Sequence, residues 1–385
     1  MQTGLFDEVA KKVDLVDYCE KAGLKFIGKR AERRSWCPLC KAGATSLSVF
    51  RVRPDDQDWR CFACGKFGDV VDLHRELKGF RSAGEAAHDL LGTSWEPPKQ
   101  IQPEVRMAQG AEREARIREI CESLWANGYK IEGKVSERYL LEARRIDPDV
   151  VAAAAPAMRY NAFAQHSWDR AARKWIRPPG IVLQVSGPDG PTGSVHVTYL
   201  ERDGSAKSAL DPPRRMWGPQ VDGQGRRSCA WLIGPDGPSD LVVGEGFETT
   251  LSAVSWLKAR GVWPVRAAAA LSLLALQGVP ATDDQGCADV WDPQPDGKVP
   301  AFTWPAPEGG GRVFIAVDRD MSPVRLRGRS RNGRPLDFEL DAEARATLCA
   351  RLAGKAWKAA GWPKVRALWP APNGDWNDLV QRQAV

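Results

Sequence analysis

Apolar residues follow different periods in successive parts of the chain. Val9, Val13, Val16 and Cys19 recur at helical spacing and predict a helix over residues 7–22; a second helical run extends from about Asp69 to Leu91. Between them, Ser46-Leu47-Ser48-Val49-Phe50-Arg51-Val52 and Trp59-Arg60-Cys61-Phe62 read as two short strands. The spacing is helical again from Ala111 to about Leu141. From Gly180 it gives way to β-rich runs, Ile181 to Val185 and Ser194 to Leu200, punctuated by Gly, Pro and Asp. From Asp240 apolar strands alternate with helices: Leu241 to Val243, Glu248 to Leu257, Arg312 to Val317, Asp341 to Ala360, Lys364 to Trp369. Such alternation predicts a parallel sheet covered on both faces.

These changes of period predict a multidomain chain of α/β and α+β class. A small N-terminal module occupies residues 1–95, a linker 96–110, an α+β middle section 111–238 and an α/β parallel-sheet domain 239–385. The linker rests on Glu96 to Pro103, which has three prolines and no apolar period and so favours stiff, extended chain. A length of 385 residues exceeds one ordinary core, and a hydrophobic fraction of 43% suffices for several. Lys and Arg outnumber Asp and Glu by 55 to 49, a net charge of +6 that permits a nucleic-acid partner without requiring one. No run approaches the eighteen or so apolar residues of a membrane span, and the N-terminus lacks a signal-peptide pattern, so a cytoplasmic protein is expected.

Four of the nine cysteines form two Cys-x-x-Cys pairs, Cys37/Cys40 and Cys61/Cys64, with twenty residues between them. Two such turns brought together make the closed tetrahedral site of structural zinc, and a module this small needs the metal to fold. Cys19, Cys121, Cys229, Cys287 and Cys349 are scattered and read as small buried thiols. His74, on the helix that follows, is expected at the surface rather than as a fifth ligand. Lys41, Arg51, Arg53, Arg60 and Lys66 are available to a phosphate backbone.

A second constellation is acidic. Val242-Val243-Gly244-Glu245-Gly246 is an apolar strand ending in an acid between glycines, and the strand from Arg312 to Val317 ends in Asp318-Arg319-Asp320. Asp375-Trp376-Asn377-Asp378 follows the last apolar run. Open α/β sheets place their sites beyond the carboxyl ends of the strands, and carboxylates gathered there repel unless a cation such as Mg²⁺ or Mn²⁺ neutralises them. A single strand-end acid is often only a helix cap.

The cysteine module, with its Ser-Leu-Ser-Val-Phe strand, its aromatic before Cys-Phe-x-Cys and its Gly-Lys-Phe-Gly-Asp entry to a helix, resembles the zinc-binding domain of bacterial and phage-type DNA primases over about residues 5–91. Cys40 stands where many members have His. Gly-Glu-Gly, Asp-x-Asp and Gly-Asp-Trp-Asn-Asp, each after a strand, resemble the Toprim domain over roughly residues 239–381. That resemblance implies acid–base or metal chemistry for Glu245, Mg²⁺ binding by Asp318 and Asp320, and a later acidic motif at Asp375 and Asp378. Thr249 stands where cellular primases carry an aspartate; Glu-Gly-x-Glu-Thr resembles the phage and plasmid form.

The hairpin from Thr198 to Lys207 and the basic loop at Arg214-Arg215-Met216-Trp217 resemble the nucleotide- and template-handling subdomain preceding Toprim, which implies phosphate contacts for Lys207, Arg214 and Arg215. The run from Arg325 to Arg334, with five arginines, reads either as a phosphate-binding loop or as a disordered insertion. The resemblance implies a primase that makes short RNA primers on single-stranded DNA from ribonucleoside triphosphates during replication. No Gly-x-x-x-x-Gly-Lys-Ser/Thr loop is present, so any replicative helicase comes from a partner. A Toprim nuclease and a non-catalytic single-stranded-DNA-binding replication factor are the competing classes.

Overall fold

The computed structural model describes residues 4–26, 32–41, 47–53, 56–61, 64, 66–94, 103–169, 172–221, 225–236, 240–330, 332–372 and 374–383. The chain forms two compact units, Met1–Val105 and Arg106–Val385. The division falls inside the segment read as a linker. Residues 95–102 lie outside those described, but from Pro103 onward the backbone is helical rather than extended.

In the first unit the predicted 7–22 helix is two helices, α1 (Leu5–Lys12) and α2 (Leu15–Lys21). Asp14 is extended between them and its carboxylate accepts from the Val16 and Asp17 amides, starting α2 afresh. Strands β1 (Glu32–Ser35), β2 (Leu47–Arg53), β3 (Asp56–Cys61) and β4 (Phe67–Gly68) form an antiparallel sheet in that order. The run from Asp69 to Leu91 likewise splits, into α3 (Val70–Lys78) and α4 (Ala83–Leu90). Asp69 and Asp72 form a capping box at the start of α3, and Gly79 at φ 75° ends it. Val9, Leu15, Cys19, Leu47, Trp59, Leu73 and Ala87 make the core, and the Trp59 indole donates to the Asp69 carbonyl at 2.8 Å. Ser46 and Phe62, which the sequence assigns to strands, lie outside the described residues.

His74 corrects the sequence reading. It is buried, with Tyr18 Oη 2.7 Å from Nδ1 and Asp89 Oδ2 2.7 Å from Nε2, because α3 turns it inward against α2 and α4.

Helix α5 (Pro103–Ala126) begins just before the division and lies mostly in the second unit, where α6 (Val135–Arg138), which runs into a π-helical turn at Tyr139–Ala143, and then α7 (Pro148–Ala154) follow. Strands β5 (Met158–Asn161), β8 (Gly180–Gly187), β9 (Gly190–Tyr199) and β10 (Arg214–Trp217) form an antiparallel sheet in the order β10-β9-β8-β5; β6 (Ser167–Asp169) and β7 (Lys174–Ile176) form a side hairpin. Val195, Val197 and Tyr199 pack with Cys121 and Leu124 of α5, while Ile181 and Leu183 join the core of the parallel sheet.

That sheet contains β11 (Ala230–Ile233), β12 (Leu241–Gly244), β13 (Arg266–Ala269), β14 (Arg312–Ala316) and β17 (Lys364–Leu368) in the order β11-β13-β12-β14-β17, parallel except for β11. Helices α8 (Phe247–Lys258), α9 (Leu273–Gln277), α10 (Ala342–Ala359) and α11 (Trp376–Gln383) complete the unit. Alternate strand residues enter opposite layers: Val242, Ala267 and Phe314 pack with α8 and Trp376, whereas Val243, Ala268 and Ile315 pack with α10. The doubly covered parallel sheet is thus the architecture the sequence pattern predicts. The arginine run is neither loop nor tail but a hairpin, β15 (Val324–Arg329) with β16 (Pro335–Leu340), in which Arg327 faces Asp337 and Arg329 pairs with Asp283 at 2.5 Å. Among the described residues no helix is long and apolar enough to cross a membrane.

Candidate metal centre and candidate active site

The strand pairing of the first unit brings the two cysteine turns together. Lys41 N donates to Cys37 O at 2.8 Å and Cys61 N to Lys66 O at 2.8 Å, closing the two knuckles, and Cys64 N points at Cys61 Sγ at 3.3 Å. The four sulfurs lie within 4.8 Å of one another, with Cys40 and Cys61 3.7 Å apart. Sulfurs placed tetrahedrally ~2.3 Å from one ion are about 3.8 Å apart, so the set fits structural zinc. Cys37 and Cys61 are buried, Cys40 and Cys64 exposed. Of the nearby basic residues, Lys66 pairs with Glu76 at 2.6 Å, and the side chains of Arg51 and Arg53 lie outside those described.

In the second unit the order β13-β12-β14 means that the chain leaves β12 to one side and returns on the other, opening a crevice at the carboxyl ends of β12 and β14. Glu245 follows β12 and Asp318 follows β14. At the opposite end of these strands Asp240 clamps Arg312, accepting from its backbone N and its Nε at 3.0 Å each, and so fixes the register.

Burial pushes the Asp318 carboxyl up to about 7; Thr249 Oγ1, donating to its Oδ2 at 3.0 Å, opposes this, and Asp320, Asp375 and Glu245 add to it. Its Oδ1 is buried without a hydrogen-bond partner. Burial likewise raises Glu245, against the pull of Arg214 and Arg345, and raises Asp375. Asp318 thus feels Glu245, Asp320 and Asp375 across the crevice, and Asp320 also acts on Glu245 and on Asp375. Asp378 is exposed on the first turn of α11, where its amide donates to Asp375 Oδ1 at 2.6 Å, so Asp375 also serves as a helix cap. Among the described residues, only the cysteines bring three or more ligand atoms within 4.8 Å; the carboxylates stand farther apart. An orphaned, buried oxygen on Asp318 amid neighbouring carboxylates is nevertheless the donor set that suits a hard divalent cation.

A cavity of about 190 Å³ opens beside Glu245, lined by His196, Arg214, Met216, Phe247 and Ser272 among others. Burial pulls His196 down to about 4, leaving the imidazole neutral. Arg214 is exposed on this wall. Arg215 donates to the His166 carbonyl and stacks 4.3 Å over the Trp217 ring, and Lys207 Nζ lies 2.9 Å from Glu248 Oε2.

Sequence reasoning missed Glu248, which is buried and accepts from Tyr139 Oη. Its burial would raise its carboxyl, but Lys207, Arg144 and Tyr139 together hold it below the usual range. The only local signal is an acid in the first turn of an otherwise apolar helix, which ordinarily reads as a favourable charge at a helix N-terminus. Its partners lie far away in sequence.

Comparison with known proteins shows primase-like homology. Residues 115–227 match the model of a domain of unknown function, DUF7146. The chain is 24% identical over 137 residues to the DNA primase of Halalkalibacterium halodurans, a match covering 35% of this chain but only 22% of that primase. Among solved structures, it is similar to the zinc-binding and RNA polymerase domains of the Aquifex aeolicus primase at 15% identity, covering 99% of this chain and 83% of the other with a TM-score of 0.36. The primase fragment of the bacteriophage T7 primase-helicase is similar at 13% identity, over 93% and 96% of the two chains with a TM-score of 0.33.

Proposed function

We propose that the chain is a DNA primase that synthesises short RNA primers on single-stranded DNA by metal-dependent nucleotidyl transfer, with residues 239–385 a Toprim catalytic domain and residues 111–238 its template-handling partner. The observation that carries this is the group of strand-end carboxylates at the switch point, centred on an Asp318 whose Oδ1 has no partner. Asp318 and Asp320, with Glu245, Asp375 and Asp378 around them, are the residues to hold Mg²⁺ or Mn²⁺. The metal would supply polarisation of the attacked phosphoryl group and neutralisation of the triphosphate.

Glu245, raised by burial and restrained by Arg214, is poised to take a proton from an attacking 3′-hydroxyl at its carboxylate. Arg214 and Arg215 line the cavity beside Glu245, with exposed Arg214 the first phosphate contact; Lys207, paired with Glu248, is a further one. Neutral His196 and Phe247 present an uncharged wall for a base or sugar. The zinc module and the basic groups near it hold the template, and a replicative helicase, where one acts, is a separate partner. A cytoplasmic setting in a bacterial cell, with a phage or plasmid gene as source, follows from the same reading.

The test is incubation with single-stranded DNA, Mg²⁺ and labelled ribonucleotides, with deoxyribonucleotides in parallel. Short labelled oligonucleotides support the proposal. Strand cutting without incorporation establishes a nuclease instead, and DNA binding without either reaction establishes a non-catalytic replication factor.

A further inference from the structure

We infer that Glu248 is a positioning residue for this reaction, a buried anion that orders Lys207 and Arg144 beside the carboxylate crevice and, through Arg144 and Asn377, fixes the turn carrying Asp375. The inference rests on the primase reading and extends it to residues outside the strand-end motifs.

Glu248 sits in the first turn of α8, one residue before the Thr249 that bonds Asp318. The π-helical turn at Tyr139–Ala143 inserts an extra residue into its helix, which brings Tyr139 and Arg144 to the same side; Arg144 Nε donates to Tyr139 Oη at 2.7 Å. Tyr139 Oη in turn donates to Glu248 Oε1, and Arg144 Nη2 lies 3.6 Å from the same oxygen. Lys207 Nζ reaches the other oxygen at 2.9 Å. Both carboxylate oxygens are thus engaged by groups from separate parts of the chain.

Arg144 extends the tie. Its Nη1 donates to Asn377 Oδ1 at 2.9 Å, and Asn377 Nδ2 donates to the Arg144 carbonyl at 2.6 Å and lies 3.4 Å from Ser252 Oγ on α8. Asn377 is buried, two residues beyond Asp375 in the turn that Asp375 caps. Displacing Arg144 therefore loosens the frame in which Asp375 faces Asp318 and Asp320. Two cations around one buried carboxylate leave one positive charge in surplus, on side chains 22% and 26% exposed, suited to an incoming triphosphate. Burying such a triad is weak support for stability, because desolvation offsets most of its attraction. Fixing donors in place is the role that geometry leaves it.

Glu248→Gln keeps the shape and an acceptor for Tyr139 but turns an amide donor toward Lys207 or Arg144. Arg144→Lys keeps the charge but lacks the planar fork that grips Asn377. Three readouts apply to the full chain: Mn²⁺ affinity by electron paramagnetic resonance without nucleotide, KM and kcat for ribonucleotides, and amide exchange across residues 375–380 without metal.

Glu248→Gln is expected to weaken Mn²⁺ binding about tenfold, raise KM about tenfold and speed exchange in that turn. Arg144→Lys should reproduce the Mn²⁺ and exchange effects, and the double variant should be no worse than either alone in those two readouts. Glu248→Asp, which retains the charge, should recover part of the loss. Wild-type Mn²⁺ affinity in Glu248→Gln, or additive losses in the double variant, overturns the inference. If Glu248→Gln does not fold, the comparison of Arg144→Lys with Asn377→Ala decides: wild-type Mn²⁺ affinity in both overturns it. A wild-type protein that binds Mn²⁺ but incorporates no nucleotide defeats the primase reading and leaves the positioning result to be judged on affinity and exchange.

Discussion

The cysteine cluster of the first unit and the acidic crevice of the second gather potential metal donors in opposite ways. Thiols carry no charge until they lose a proton, so four can crowd within 4.8 Å on the strength of strand pairing and two tight knuckles. Carboxylates repel, and here they stand farther apart, with Asp318 buried and pushed up to about 7. The first cluster is a finished box and the second an open, strained mouth. Closed donor sets suit a structural ion, and open ones leave positions for substrate.

Removing the ion from the box should have the largest effect. Chelation, or Cys61→Ser, is expected to abolish binding of one zinc per chain and unfold the first unit, since zinc in modules of this kind supplies roughly 10 kcal/mol or more. The second unit should keep its own thermal transition. Calorimetry with metal analysis checks both, and undiminished zinc in the Cys61→Ser protein removes the assignment.

Asp318→Asn should lower nucleotide incorporation on the order of a thousandfold while leaving the fold intact. It should also remove the pH dependence that marks a strained acid. With a folded value near 7 against ~3.9 unfolded, the native state holds this proton more tightly, so its stability falls as pH rises between those values. Without metal, the variant and the wild type should match near pH 4 and diverge to as much as roughly 4 kcal/mol in favour of the variant by pH 8. Denaturant melts across that range measure it; parallel curves would contradict a strained Asp318.

Thr249→Val removes the hydrogen bond that Thr249 Oγ1 donates to Asp318 Oδ2. A rise of about tenfold in the Mg²⁺ concentration needed for half-maximal activity is expected, roughly the worth of a hydrogen bond to a charged group. Titration of activity against Mg²⁺ reads it, and an unchanged midpoint would show that Thr249 merely fills space. Smallest is Arg214→Ala, which should weaken template or nucleotide binding and reduce the salt slope by about one. Arg215, stacked on Trp217, should respond less than exposed Arg214, and the opposite ranking would relocate the phosphate contacts.

Features that repeat locally were legible in the sequence. The cysteine spacing placed all four sulfurs, and apolar strands ending in acids located the crevice, because each strand carries its own signal. Helix ends were less visible: Asp14 and Gly79 each divide a run whose apolar spacing continues across the break. His74 was misread because its partners come from α2 and α4, and Glu248 was missed because its partners at 139, 144 and 207 meet only in the folded unit. The arginine run concealed its two-residue period, Arg325, Arg327 and Arg329, because few apolar residues alternate with them.

The Asp240–Arg312 clamp spans 72 residues, and the same separation must be closed before β12 and β14 can lie side by side. Helices on either side of the sheet can form from neighbours, but parallel pairing across so long a loop carries a closure entropy that only the completed ladder and its two packed faces repay. Glu245 and Asp318 follow the paired ends of that ladder. During refolding, helical signal should therefore return before metal affinity does, and a chain stalled short of this closure would have nearly all its secondary structure and no chemistry.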